Sequence, residues 1–239
     1  MFTPTKAIVL RSIRYGESDL IVKCYTASDG LKSYMLRGVL KTKKGRIKSA
    51  MFQPFSLLDL VARHKNKGKL EYIKEAKIAT VNYSIQSDVY KTSMAIFLCE
   101  VIQNAIQEEE QNKALFSFLE NSIDWLENHK QIANFHLYFL VKLTKYLGIL
   151  PHLEEENYPY FNLQQGHFEA LESDNYAVSG KNAFLLKKLL RLTAEDLTDL
   201  KLNRETRQNF LLFMLSYYQI QLQGFSKPKS LEVLNQLFA

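Results

Sequence analysis

The feature that most constrains this chain is a change of hydrophobic period near residue 80. Before it, apolar residues alternate in short runs broken by turn residues; after it, they recur every three or four positions. Period two marks strands and period 3.6 marks helices, so neither pattern settles into the other's structure. Residues 6–13 alternate with Ile8, Leu10 and Ser12 on one face. Leu20, Val22, Cys24 and Thr26 alternate with Ile21, Lys23 and Tyr25, and Ser28-Asp29-Gly30 supplies a turn. A third run spans residues 31–38. A fourth spans 51–62, with Phe55, Leu57 and Val61 set against Ser56, Leu58 and Leu60, and with Pro54 near its start. The fifth spans 70–79. Five short strands predict a small closed β-barrel, because closure leaves no long exposed edge. An OB-fold is the first candidate.

From about Ser87 the pattern is helical. Val89, Ile96, Phe97, Val101 and Ala105 form one broad apolar face. Leu115, Leu119, Ser122 and Leu126, with Phe116 and Ile123 beside them, form the next. Residues 132–147 are apolar nearly all round, as in a central buried helix. A loop-rich stretch at 148–180 carries Pro151, Pro159 and Gly166. Helices resume over 182–192 and 204–222, and a last short one begins near Ser230, a residue suited to an N-cap. The expected fold is α+β. A five-stranded OB-fold β-barrel occupies residues 1–80, and an α-helical bundle domain occupies 81–239, with an irregular insertion at about 148–180.

Charge divides at the same place. Residues 1–80 hold 17 Lys/Arg against 6 Asp/Glu, a balance of +11, and residues 81–239 hold 14 against 19, a balance of −5. A basic module joined to a mildly acidic one points to a polyanion for the first part only. The densest stretch is Lys41-Thr42-Lys43-Lys44-Gly45-Arg46-Ile47-Lys48, between the third and fourth strands, with no acid in it. Arg37 precedes it, and Arg11 and Arg14 are candidates to share its side of the barrel. Clustered Lys and Arg suit phosphates because each contact releases condensed counterions. The competing reading is a loop kept charged for solubility, which the basic character of the whole module argues against. Tyr15, Tyr25 and Tyr34 either pack the core or stack on single-stranded bases. A membrane is the other polyanion to consider, but no basic amphipathic helix adjoins the run.

The usual catalytic motifs are missing. The nine glycines are scattered singly, with no Walker-type loop and no G-x-G-x-x-G, and neither G-x-S-x-G nor H-E-x-x-H occurs. No nucleophile–base pair stands out by spacing, so no enzymatic activity is expected. Cys24 and Cys99 are too few for a disulfide framework and read as two buried thiols. His152 and His167 flank Glu154-Glu155-Glu156, but structural zinc asks for four Cys or His ligands at short paired spacings. His136 falls in the most apolar helix. No metal and no cofactor are expected. The first apolar run, Ala7-Ile8-Val9-Leu10, is too short for a secretion signal or a membrane span, and a cytoplasmic protein is the expectation.

These residues resemble a known family, the bacterial recombination mediator RecO. The likeness runs from Ala7-Ile8-Val9-Leu10 through Tyr15-Gly16-Glu17-Ser18-Asp19, Thr26, Gly30, Arg37-Gly38-Val39 and the basic run. It continues through Gln53-Pro54-Phe55-Ser56-Leu57-Leu58 and Leu147-Gly148-Ile149-Leu150-Pro151-His152-Leu153, and ends at Lys229-Ser230 with Leu234. The resemblance implies an N-terminal OB-fold followed by a helical domain. It also implies binding of single- and double-stranded DNA, annealing of complementary strands, and help in loading RecA onto strands coated with single-stranded DNA-binding protein (SSB). Implied partners are RecR, the acidic C-terminal tail of SSB and, indirectly, RecA, in association with the nucleoid. Many members carry a four-cysteine zinc module after the Gly148–Pro151 junction. Here Tyr158, Tyr160, Phe161 and Phe168 stand in that stretch, and they are expected to pack apolar surface in the metal's place.

Arg11, Arg14, Arg37, Lys41, Lys43, Lys44, Arg46 and Lys48 are the candidate contacts to DNA phosphates. Lys142, Lys145, Arg204 and Arg207 are the candidates for the SSB tail, whose site should combine a cation with an apolar groove. An RNA-binding OB-fold protein and a non-catalytic protein–protein adaptor are the alternatives. Competition between matched RNA and DNA strands separates the first, since RNA-specific sites read the 2′-hydroxyl.

Overall fold

The alternating runs become five antiparallel strands: β1 (Thr3–Tyr15), β2 (Asp19–Thr26), β3 (Gly30–Leu36), β4 (Leu57–Arg63) and β5 (Tyr72–Thr80). They belong to a computed structural model that describes residues 2–41, 46–65, 70–106, 110–153 and 158–238. The hydrogen-bonded order is β3-β2-β1-β4-β5. A parallel bridge between Tyr34 and Glu71 brings the two outer strands together. There the Glu71 amide donates to the Ser33 carbonyl at 2.7 Å, and the Met35 amide to the Glu71 carbonyl at 3.2 Å. This circuit is the five-stranded OB-fold barrel.

The interior is filled by alternate residues, among them Val22 and Cys24 of β2, Tyr34 and Leu36 of β3, and Leu58 and Leu60 of β4. β1 breaks the alternation, since Ala7, Ile8, Val9 and Leu10 are all buried. Ala7 and Val9 join the barrel core. On the strand's other side lies a helix, α2 (Val89–Ala105). Its Cys99 thiol donates to the Val9 carbonyl at 3.7 Å, and its Gln103 amide donates to the Leu10 carbonyl at 3.1 Å. A strand covered on both faces reads as a continuous apolar run.

The fourth strand begins later than its alternation suggests. β4 starts at Leu57, while residues 49–51 form a short 3-10 turn and Phe55 takes a left-handed backbone conformation (φ 62°). Pro54 offers no amide to a ladder. The preceding segment instead ties back to β1 by single bonds, Phe55 N–H to Val9 O at 2.8 Å and Val9 N–H to Ser56 O at 2.9 Å.

Two compact units divide the chain, residues 1–128 and 129–239. The first adds α1 (Tyr83–Ser87), α2 and α3 (Lys113–Asn128) to the barrel strands. Asp88 caps α2 by accepting from the Tyr90 and Lys91 amides. Phe97, Val101 and Ala105 are buried as the helical spacing requires, but Val89 and Ile96 are exposed, so the apolar face of α2 is narrower at its start than the spacing suggests. All six expected positions of α3 are buried. Glu127 closes α1 with both carboxylate oxygens, accepting from the Ser84 and Ile85 amides at 2.8 and 2.9 Å.

The second unit centres on α4 (Phe135–Leu143), which is shorter than the apolar stretch around it because a 3-10 turn over Thr144–Leu147 takes up the rest. α5 (Lys181–Arg191), α6 (Arg204–Gln221) and α7 (Leu231–Leu237) complete the helices. Tyr218 of α6 donates its hydroxyl to the Leu140 carbonyl at 2.7 Å. The insertion is a small sheet, β7-β6-β8, made of β6 (Tyr160–Asn162), β7 (His167–Glu169) and β8 (Ala177–Val178). Phe161 and Phe168 are buried with ring centroids 5.0 Å apart, and Tyr217 sits edge-on to Phe161 at 5.4 Å. Tyr158 and Tyr160 are half-buried. Among the described residues no helix is long and apolar enough to cross a membrane.

Candidate nucleic-acid interface

At the end of the barrel that carries Arg37 and Lys41, two connections are bonded to each other. The Leu40 amide donates to the Ser18 carbonyl at 2.9 Å, and the Gly38 amide to the Asp19 carboxylate at 2.8 Å. The bonds from Gly38 and from the Ser18 hydroxyl hold the Asp19 carboxyl below the usual carboxylate range. The β1–β2 turn is thereby fastened to the segment leaving β3. Lys41 reaches across the join to Glu17 at 3.0 Å, an exposed ion pair that water screens and that contributes little to stability.

Two grooves are lined in part by described residues near the basic run. One, of about 570 Å³, is lined by Arg11 and Arg14 of β1 together with Leu40, Ser49, Gln53 and Glu100. The other, of about 500 Å³, is lined by Arg37, Ile47, Leu70, Tyr72 and Lys74. Arg11 and Arg14 therefore share a groove with residues on either side of the basic run. Arg37, Lys41, Arg46 and Lys48 are exposed, while Lys43 and Lys44 lie outside the described residues. Tyr25 and Tyr34 belong to the core, whereas Tyr15 is 56% exposed. Buried Tyr34 donates or accepts at His64 Nε2 (2.7 Å), and His64 Nδ1 meets Asp29 at 2.7 Å, a chain that fastens the β2–β3 turn to the end of β4.

A second basic stretch was missed by looking only for the densest run. Arg63 ends β4, Lys65 follows it, Lys74 and Lys77 belong to β5, and Lys67 and Lys69 fall between the two strands in sequence, outside the described residues. Counting charge over a longer window, residues 63–77, exposes it.

In the second unit the four candidate cations separate into two kinds. Lys142 donates to the Leu190 carbonyl at 2.9 Å and lies 5.3 Å from the Tyr138 ring centre; burial, and then the Lys145 charge, lower its pKa. Arg207 donates to the carbonyls of Leu202 at 2.7 Å and Phe238 at 3.1 Å. These two brace the helices. Lys145 and Arg204 are exposed. An apolar groove with cations lies elsewhere, along α5: about 530 Å³ lined by Phe184, Lys187, Lys188, Arg191 and Leu192 with Asp196. Phe184 is 71% exposed, out of phase with the buried Ala183, Leu185, Leu186 and Leu189. A Phe off the apolar phase with Lys at i+3 and i+4 and Arg at i+7 was a legible signal. Among the described residues, no group of three His, Cys, Asp or Glu side chains is placed to hold a metal. Cys24 and Cys99 are both buried free thiols, and burial pushes both up in pKa.

Comparison with known proteins covers both units. Residues 1–82 match the family Recombination protein O N terminal, and residues 86–232 match Recombination protein O C terminal. A DNA repair protein RecO of Christiangramia forsetii is 47% identical over 238 residues, spanning 100% of both chains. A DNA repair protein RecO of Flavobacterium psychrophilum is 46% identical over 98% of each, and one of Bacteroides fragilis is 35% identical over 100% of each.

Proposed function

The chain belongs to the recombination protein O family of DNA repair proteins, and from that premise we propose that it is a DNA-binding recombination mediator whose barrel holds the phosphates. One observation carries the reading. Arg37 and Lys74 line one open groove and Arg11 and Arg14 line another, and the exposed Lys41, Arg46 and Lys48 are chain neighbours of Leu40, Ile47 and Ser49 in those linings. Lys43 and Lys44 belong to the same cluster by sequence. In this reading residues 1–80 are the DNA-binding domain and residues 81–239 the helical domain.

Annealing requires two polyanions to approach each other. A dense positive surface lowers their repulsion by replacing condensed counterions, with no bond made or broken. The protein thus binds single- and double-stranded DNA, anneals complementary strands and assists RecA loading without a catalytic step of its own. RecR and the acidic SSB tail are its proposed protein partners. For the tail, the α5 groove offers what an acidic peptide with apolar terminal residues needs: the exposed Phe184 ring beside Lys188 and Arg191.

The test is fluorescence anisotropy of a labelled single strand across a salt series, comparing the wild type with a variant carrying Lys41, Lys43, Lys44, Arg46 and Lys48 changed to Ala. Four to six phosphate contacts give a slope of log affinity against log salt of roughly −3.5 to −5.5 on duplex, and a shallower one on single strands. The variant should bind more weakly and with a flatter slope. A nearly flat response in the wild type would overturn the reading.

A further inference from the structure

Closure of the barrel leaves an exposed aromatic pair beside Arg63 and Lys74. Tyr72, the first residue of β5, is 50% exposed, and Phe2, just ahead of β1, is 40% exposed. Their rings meet edge to face with centroids 6.2 Å apart. Arg63, the register partner of Tyr72, places its guanidinium carbon 5.8 Å from the Phe2 ring centre, and the Lys74 ammonium lies 5.5 Å from it. Both distances fall within cation–π range.

The pair is not a plug for the barrel. Tyr34, Leu36 and Ile73 already fill the interior nearby, exposed by 0%, 5% and 3%. Arg63 and Lys74 lie against the Phe2 ring, Phe2 meets Tyr72 edge to face, and both rings present apolar surface to water. Arg63 and Lys74 are accompanied by two acids: Glu75 lies 3.8 Å from Lys74, and Glu71, which also lines the Arg37 groove, is 7% exposed and accepts the Lys65 amide at 2.8 Å. Tyr72 and Lys74 also line the groove whose other wall is Arg37 and Ile47. A strand whose phosphates rest on Arg37 would therefore have Tyr72 within the same groove.

Resting on the DNA-binding reading above, we propose that Tyr72 and Phe2 form a base-stacking platform that receives an unpaired base of single-stranded DNA while Arg37, Arg63 and Lys74 hold its phosphates. Bases of a duplex are already stacked on one another and offer no free face, so the platform acts on single strands only. Phosphate contacts serve both forms alike. The division of labour assigns affinity for DNA in general to the cations and preference for the unpaired strand to the two rings.

The experiment measures anisotropy of matched single- and double-stranded oligonucleotides with the wild type, Tyr72→Leu and Phe2→Leu, which keep apolar bulk but remove the ring. Thermal melts of all three confirm the fold, and Tyr72→Phe should retain binding. Base–aromatic stacking predicts a single-strand affinity reduced roughly fivefold or more by Tyr72→Leu. Duplex affinity should stay within about twofold, and the salt slope should be unchanged, because no phosphate contact is lost. A 2-aminopurine in the single strand should be quenched by the wild type and not by Tyr72→Leu. Equal losses for single strand and duplex, or no loss for either, would overturn the platform while leaving DNA binding intact. Displacement of the single strand by an acidic aromatic peptide in the wild type but not in Tyr72→Leu would also overturn it, and would assign the rings to a protein. Absence of any DNA binding by the wild type at low salt would overturn the DNA-binding reading itself.

Discussion

Acidification should weaken the second unit through one side chain, His136. It lies in α4, only 3% exposed, with the Phe238 ring 6.1 Å away and the Arg207 charge nearby. Burial first, and then the Arg207 charge, push its pKa down from 6.5 to about 3. An unfolded chain has no such burden, so as pH falls it binds a proton that the folded protein refuses. The folded state therefore keeps its full stability above about pH 6.5 and loses it progressively down to about pH 3. Each pH unit in that window costs about 1.4 kcal/mol, so moving from pH 7 to pH 5 should remove roughly 2 kcal/mol. Urea denaturation at the two pH values measures the loss, and His136→Leu supplies the control. Carboxylates elsewhere titrate in both proteins, so the informative quantity is the difference between the two pH dependences. That difference should be close to 2 kcal/mol. A difference near zero, or an imidazole resonance of folded His136 that titrates with an ordinary midpoint near 6.5, would refute the reasoning.

Gly30→Ala should destabilise the first unit by about 2 kcal/mol or more, read by thermal melting, because Gly30 holds a φ of +63° and an added Cβ would come within 2.3 Å of the Glu110 carbonyl oxygen. Chelator should leave the melting temperature unchanged, since Phe161, Phe168 and Tyr217 pack the insertion through their rings; a large drop would point to a metal holding that sheet. A labelled peptide with acidic residues and an apolar C-terminus should bind the wild type and lose tenfold or so in affinity in Phe184→Ala combined with Lys188→Ala, while Lys145→Ala leaves it unchanged. Equal binding by both variants would remove the α5 groove as the tail site.

Local pattern carried the fold where a residue's neighbours in sequence decide its burial. In β2 the alternation of Leu20, Val22 and Cys24 against Ile21 and Lys23 is the alternation of inside against outside. In α3 the helical spacing from Leu115 to Leu126 is the buried face. It failed where contacts distant in sequence take over. Residues 51–56 alternate like a strand, but the bonds available to them come singly from β1, and Pro54 cannot join a ladder. Residues 132–147 are apolar throughout, yet composition does not say where an α-helix tightens into a 3-10 turn. The change of period near residue 80 locates where strands give way to helices. Compact packing carries α1 to α3 along with the barrel, to residue 128.

The site divides in the same way. A cluster of cations is visible in any linear reading, because adjacent residues on one connection stay together however the chain folds. Whether a cation is available is not visible. Lys142 and Arg207 look like Lys145 and Arg204 in sequence, but each is drawn inward to donate to carbonyls, Lys142 to Leu190 and Arg207 to Leu202 and Phe238. In sequence Tyr34 is a stacking candidate and Tyr72 is not singled out, until β3 and β5 close the barrel. Closure puts Tyr34 inside, at 0% exposure, and leaves Tyr72 outside beside Phe2. Phosphate recognition can start from a local run of charge, and phosphates are present in single- and double-stranded DNA alike. Discrimination between them needs an apolar face held open to solvent, and such a face exists only once strands far apart in sequence have met. For this barrel the residues that distinguish one strand from two should lie where the circuit closes, not where its charge is densest.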